Sequence, residues 1–229
     1  MKIGGLQKIS LIDYSGQISA IVFTQGCNFR CPYCHNPELV DPEQYGPMLP
    51  EEDVISFLEN RRGKLDAVTV TGGEPTLQPD LDRFLQALKG MGYLTKIDTN
   101  GSNPDVLQRL IHGHLIDYIA MDVKGPLRKY ERIAKVKVNT AQILKSIELI
   151  TASGIQHEFR TTVVRSQLDR RDLIATAKLL NRAQRYVLQT FVPGKTLCRE
   201  FLAEKSYTPE DVSAVQKYLT GKHLRIVLR

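Results

Sequence analysis

Cysteine is scarce in this chain of 229 residues, with four in all. No leader-like apolar segment follows Met1-Lys-Ile-Gly-Gly. So few cysteines without a leader argue against a secreted disulfide scaffold and for metal or redox use in the cytoplasm. No apolar run of about 18 residues is present, so no membrane span is expected. Repeats, low-complexity tracts and long linkers are also missing. A single domain over 1–229 is the expectation, and the length suits one sizeable core. Charge of one sign is only mildly in excess, at +6, and it is spread along the chain. Two denser basic stretches, Lys124 to Lys137 and Arg165 to Arg171, lack the interleaved aromatics that stack on single-stranded nucleic acid. No nucleic-acid role is expected.

What is present is concentrated. Three of the four cysteines fall in Cys27-Asn28-Phe29-Arg30-Cys31-Pro32-Tyr33-Cys34, spaced C-x3-C-x2-C. Three thiolates on one loop can hold three corners of a cubane iron–sulfur cluster and leave the fourth iron open. A metal site with an open position reads as catalytic, a fully ligated one as structural. Simpler readings use parts of the same pattern. Cys31-Pro-Tyr-Cys34 alone matches a redox dithiol. Cys31-x-x-Cys34-His35 alone matches a c-type haem attachment site. Cys27, Cys31, Cys34 and His35 together could wrap zinc. Haem attachment would need export, and a dithiol leaves Cys27 idle; the spacing alone does not dismiss zinc. Cys198 stands alone and reads as non-ligating.

Short apolar runs alternate with amphipathic stretches, which predicts βα units on a parallel sheet. Strands are predicted over 18–24, 67–71, 93–98, 118–123, 157–164 and 186–191. Helices are predicted over 51–61, 81–91 and 140–152, the last closed by Gly154. Asn103 and Asp169 read as N-caps of two more, running to about 111 and 182. The tail reads as a helix over 209–219, followed by Gly221, and a strand-like run from Leu224 to 228. Six βα repeats are too few for a closed eight-stranded barrel. Cys27, Gly72, Asp98, Asp122 and Gln189 fall at or beyond strand C-terminal ends, where αβ barrels build their sites.

The cysteine loop, with Tyr33 as its aromatic, resembles the signature of the radical S-adenosylmethionine (radical SAM) superfamily. Thr71-Gly72-Gly73-Glu74-Pro75 resembles the superfamily's GGE motif. Ile97-Asp98-Thr99-Asn100-Gly101 and Met121-Asp122-Val123-Lys124-Gly125 resemble the D-T-N-G and D-x-K elements of glycyl-radical activating enzymes. The opening from Gly5 to Gly16, with Phe23-Thr-Gln-Gly26-Cys27-Asn28-Phe29, is similar to activating proteins of anaerobic (class III) ribonucleoside-triphosphate reductases. The resemblance runs from about Gly5 to Pro193. It implies an α/β fold, a partial (β/α)6 TIM-like barrel with its core at about 17–193 and an extension at 194–229.

The resemblance also implies roles. Cys27, Cys31 and Cys34 would ligate a [4Fe–4S] cluster whose open iron binds S-adenosylmethionine and cleaves it reductively. Tyr33 would line the adenine side. Gly72 and Gly73 let backbone approach a ligand closely, and Glu74 would meet the methionine ammonium. Asp98, Thr99 and Asp122 would help hold a monovalent cation. Lys124 could reach the methionine carboxylate or lie exposed. Arg160 needs a partner in mid-strand, and Gln189 could contact ribose or adenine. The implied partners are a large glycyl-radical enzyme, above all an anaerobic ribonucleotide reductase, and a flavodoxin- or ferredoxin-type electron donor. A pyruvate formate-lyase-type partner or a small-molecule substrate is the alternative. The basic run Lys124, Arg128, Lys129, Arg132, Lys135 and Lys137 could steer an acidic partner surface or be an ordinary solvated loop.

Overall fold

The computed structural model of the chain describes residues 1–219 and 225–229. Its centre is an eight-stranded sheet in which spatial order follows chain order. The strands are β1 (Ile3–Ser10), β2 (Ser19–Thr24), β3 (Ala67–Gly72), β4 (Leu94–Thr99), β5 (Tyr118–Asp122), β6 (Gln156–Val163), β7 (Arg185–Thr190) and β8 (Arg225–Leu228). β1 runs antiparallel to β2, and each later pair of neighbours is parallel. Strands β2 to β7 are the six that the apolar runs predict, and β8 extends them in parallel. β1 is an addition. Most of its side chains are exposed or half-buried, and its pairing with β2 slips register twice, so it carries no clean alternation. The architecture is the expected α/β partial barrel, with β1 added at one edge and β8, which matches the predicted strand-like run, at the other. The predicted helix stop at Gly221 and strand start at Leu224 lie outside the described residues.

The helices are α1 (Pro37–Val40), α2 (Glu51–Glu59), α3 (Leu81–Gly90), α4 (Pro104–His112), α5 (Tyr130–Ala134), α6 (Thr140–Ala152), α7 (Arg170–Leu179) and α8 (Pro209–Leu219). α3 shows why they form and where they pack. Leu81, Phe84, Leu85 and Leu88 are its buried residues, a stripe at helical spacing that must face the sheet. α7 opens on a reciprocal capping box between Asp169 and Asp172, which satisfies two free amides at once. Asn103 stands at the N-cap of α4 but makes no capping bond. Its Nδ2 donates to Thr76 Oγ1 at 2.9 Å instead, and Pro104, at the first helical position, has no amide hydrogen left unsatisfied. No helix among the described residues is long and apolar enough to cross a membrane.

The parallel register sorts the strand side chains into two sets. Val22, Val70, Ile97, Ile119, Phe159 and Leu188 belong to the main apolar core with the helix residues Phe84, Leu88, Leu107, Ile143 and Leu173. The alternate residues Thr71, Asp98, Asp122, Arg160, Thr162 and Gln189 line a cavity at the strand C-terminal ends. Pairings such as Asp122 with Arg160 and Thr162 with Gln189 keep this second set on one face.

Candidate active site

The cavity is about 360 Å³ in volume. Cys27, Cys31, Tyr33, Cys34, Gly72, Gly73, Asp98, Thr99, Asp122, Lys124, Arg160 and Gln189 all line it. Of the predicted site residues, Glu74 alone does not.

The cysteine loop is seated by backbone bonds. Gly73 N donates to Thr24 O and Glu74 N to Gly26 O, both at 2.8 Å, which clamps the end of β3 to the start of the loop. Arg30 N donates to Ala134 O at 2.8 Å, and Leu197 N and Cys198 N donate to Cys34 O and Pro32 O at 3.0 Å. Cys198 thereby flanks the loop through its backbone and does not line the cavity. The glycines act here. A Cβ on Gly73 would sit 2.1 Å from Gly26 O, and one on Gly72 2.6 Å from Thr24 N. Gly72 also has φ +104°. On one side these glycines admit the end of β2 and the start of the cysteine loop, and on the other both line the cavity where a ligand is expected.

The three thiols suit a cubane cluster. Each thiolate of such a cluster binds a different iron, so the sulfurs need to ring a space and not meet at one point. They ring this cavity, and the Phe29 amide points at Cys27 Sγ from 3.4 Å. No three His, Cys, Asp or Glu side chains among the described residues gather as one ion's ligand shell. His35, the fourth member of the zinc reading, packs edge-on against Phe191 at 5.6 Å. Burial pushes all three thiols up, Cys27 to about 12 with the Glu74 charge adding to the effect. Loading metal must therefore displace protons.

Glu74 is fully buried. Its Oε1 accepts from Thr76 N at 3.1 Å, Thr76 Oγ1 at 2.6 Å and Thr99 Oγ1 at 2.7 Å, while Oε2 accepts from Asn100 N at 2.6 Å. Burial raises its carboxyl against these four bonds. The carboxylate expected to meet a ligand ammonium is here surrounded by backbone and hydroxyl donors. In this arrangement Glu74 ties the turn after β3 to the turn after β4 from behind the cavity wall.

The opposite wall holds its carboxylates with charge. Arg160 donates Nε to Asp122 Oδ1 at 2.9 Å and Nη1 to Asp98 Oδ2 at 3.1 Å. Lys124 Nζ lies 3.1 Å from Asp122 Oδ2, and Lys96 Nζ 3.1 Å from Asp98 Oδ1. Burial works against ionisation of Asp122, but Arg160 and then Lys124 outweigh it and hold the carboxyl below its usual range. Asp98 is lowered in the same way by Arg160 and Lys96. The two carboxylates thus face side-chain cations, and the expected monovalent-cation site does not fit this donor set. Lys124 is not the exposed alternative: its side chain is 12% exposed, and its ammonium lies 5.9 Å from the centre of the Tyr33 ring. Tyr33 is buried, and its hydroxyl has no hydrogen-bond partner among the described residues.

Asn100 and Thr162 also line the cavity, and neither carries a sequence-based role. Asn100 Nδ2 donates to Asn28 Oδ1 at 2.8 Å and lies 4.0 Å from Cys27 Sγ, joining the cysteine loop to the turn after β4. Thr162 follows Arg160 by two, so strand alternation could have found it. The basic run is divided. Lys124 belongs to the cavity, and Arg128 and Lys129 both pair with buried Asp172. Arg132, Lys135 and Lys137 are exposed. Arg128 is exposed as well, and one carboxylate shared by two cations leaves a positive charge over, so these four side chains are available for steering.

The chain belongs to the radical SAM superfamily, whose model matches residues 21–180. It is related to glycyl-radical enzyme activating enzymes. A Methanocaldococcus jannaschii protein bearing that name provisionally is 37% identical over 205 residues, covering 87% of this chain and 83% of its own length. A 7-carboxy-7-deazaguanine synthase of Methanothermobacter thermautotrophicus is 33% identical over 110 residues, 48% of this chain and 42% of that one. Among solved structures, Streptococcus suis SuiB bound to its precursor peptide SuiA superposes with a TM-score of 0.71 at 17% identity. That match covers 91% of this chain and 48% of SuiB, and it speaks to fold.

Proposed function

We propose that this radical SAM enzyme is an activase that generates a glycyl radical on a large partner enzyme. The observation that carries the reading is the convergence of Cys27, Cys31 and Cys34 with Asp98, Asp122, Lys124 and Arg160 on one cavity, in a chain similar to an activating enzyme over most of both lengths. Cys27, Cys31 and Cys34 would hold a [4Fe–4S] cluster. Reductive cleavage of S-adenosylmethionine is the chemistry such a cluster supplies when bound. Lys124 and Arg160 would present positive charge to the methionine carboxylate, Tyr33 would flank the adenine side, and Gln189 would reach the nucleoside. Glu74 would act by holding two turns in place. The electron would come from a flavodoxin- or ferredoxin-type donor.

Within this reading, an anaerobic ribonucleotide reductase is the partner favoured by the opening Gly5 to Gly16. The similarity to the activating enzyme supports the broader class without choosing a partner, so a formate-lyase-type enzyme stands beside it. The synthase match favours a second reading, a small purine-like substrate, over about half of the chain. The test is anaerobic. Reconstituted protein should be brown with about four irons per chain, and should cleave S-adenosylmethionine to methionine and 5′-deoxyadenosine. Cys31→Ala should abolish cleavage. Mixed with a class III reductase, the protein should give a glycyl radical doublet by electron paramagnetic resonance. No doublet with either partner class, together with turnover of a deazapurine precursor, would establish the second reading. Full cleavage by Cys31→Ala would end both.

A further inference from the structure

Asp98 on β4 and Asp122 on β5 end neighbouring strands, and two like charges so placed need a cation between them. Here that cation is a side chain. Arg160 on β6 is 11% exposed and spans both carboxylates, with Nε on Asp122 and Nη1 on Asp98. Lys124 donates to the outer oxygen of Asp122, and Lys96 Nζ lies 3.1 Å from Asp98 Oδ1 as an ion pair, although that buried oxygen accepts no hydrogen bond among the described residues. Lys96, Asp98, Arg160, Asp122 and Lys124 thus form one row of alternating sign, with one positive charge in excess. A guanidinium is planar, always charged and fixed in its donor directions. Held at both ends, it fills the gap that hard oxygen ligands would otherwise offer to a metal ion.

We propose that Arg160 is a built-in substitute for a monovalent cation, so that this pocket receives the carboxylate of its nucleotide with no alkali-metal ion. The proposal rests on the radical SAM reading for the identity of that carboxylate, but not for the placement of Arg160. The excess positive charge of the row faces the cavity through Lys124 and Arg160, so an anion entering there completes the alternation. Removing Arg160 leaves two carboxylates across an open gap, and that gap is a site for K⁺ or Na⁺.

Two measurements test this. In the first, thermal unfolding of the full chain is followed without nucleotide, in potassium chloride and in tetramethylammonium chloride at equal ionic strength. The wild-type midpoint should not differ between the salts. Arg160→Ala should unfold earlier and recover part of the loss in potassium. Asp98→Asn combined with Arg160→Ala should lose that recovery, because one of the two ligands is gone. In the second, S-adenosylmethionine is titrated into reconstituted protein and the cluster signal is read. Wild-type affinity should agree in the two salts within about twofold, whereas Arg160→Ala should bind about tenfold more weakly and be rescued by potassium. Arg160→Lys, which keeps the charge and loses the fork, should bind more weakly in both salts alike. Potassium that stabilises the wild type or tightens its binding overturns the proposal, as does an Arg160→Ala protein indifferent to potassium. If the wild type binds no nucleotide in either salt, the functional reading falls, and the unfolding comparison still decides the role of Arg160.

Discussion

Phe159 and Arg160 are consecutive residues on one strand, and they belong to two different kinds of interior. Phe159 is fully buried in the apolar core beneath the helices. Arg160 faces the cavity and is held by two carboxylates. The same division runs along the sheet. Ile97 lies in the apolar core between Lys96 and Asp98, and Met121 does so beside Asp122. The helix-facing side is stabilised by area removed from water, a non-directional effect. The cavity-facing side is held by directed bonds between charges, each needing its partner. Fold stability and site geometry are therefore carried by alternate residues of the same strands, and substitutions on the two faces should separate them.

The largest stability loss should come from the helix-facing side. Phe159→Ala should cost about 3–5 kcal/mol in denaturant unfolding. A loss as small as that of a surface change would show that this face is not the core. Next comes the brace behind the cavity. Glu74→Ala leaves the Thr76 and Asn100 amides without their acceptor and should cost about 2–3 kcal/mol. Glu74→Gln, which keeps an acceptor, should cost less. Equal losses for the two would mean that charge, and not the bonds, is what Glu74 contributes.

On the cavity-facing side, Asp122→Asn should lower stability at neutral pH by less than either, and the effect should depend on acid. The folded state holds this carboxyl below its ordinary value of 3.8. Its contribution is therefore full above that value and is lost as pH falls toward the depressed one. Wild type and Asp122→Asn should converge in acid, and curves that stay parallel would refute the pairing with Arg160 and Lys124.

The smallest effect is expected at His157, on the helix-facing side of β6. Its Nδ1 donates to Ile155 O at 2.9 Å while Nε2 accepts from Gln184 N at 3.4 Å, so the ring is neutral. Burial lowers its pKa below 6.5. Stability should be full above 6.5 and decline as pH falls through the lowered value, because the unfolded chain takes up the proton first. His157→Gln should flatten that decline in midpoints measured across a pH series.

Local pattern was enough for the six parallel strands, the longer helices between them, the C-terminal end at which the motifs meet and the superfamily. Those depend on local signals: apolar runs, glycine after strands, caps and cysteine spacing. Tertiary structure alone decided what each polar group touches. Glu74 and Asp122 both follow apolar strands and look alike in sequence. One faces amides and hydroxyls behind the wall, and the other faces Arg160 and Lys124 across the cavity. Gly72 and Gly73 were legible as sites of close approach, but what they approach is the backbone of Thr24 and Gly26, some 47 residues earlier in the chain. The partners of Arg160 lie 38 and 62 residues away. No local pattern encodes such distances, because parallel neighbours are joined by crossovers of a dozen or more residues and meet only through the register of the sheet.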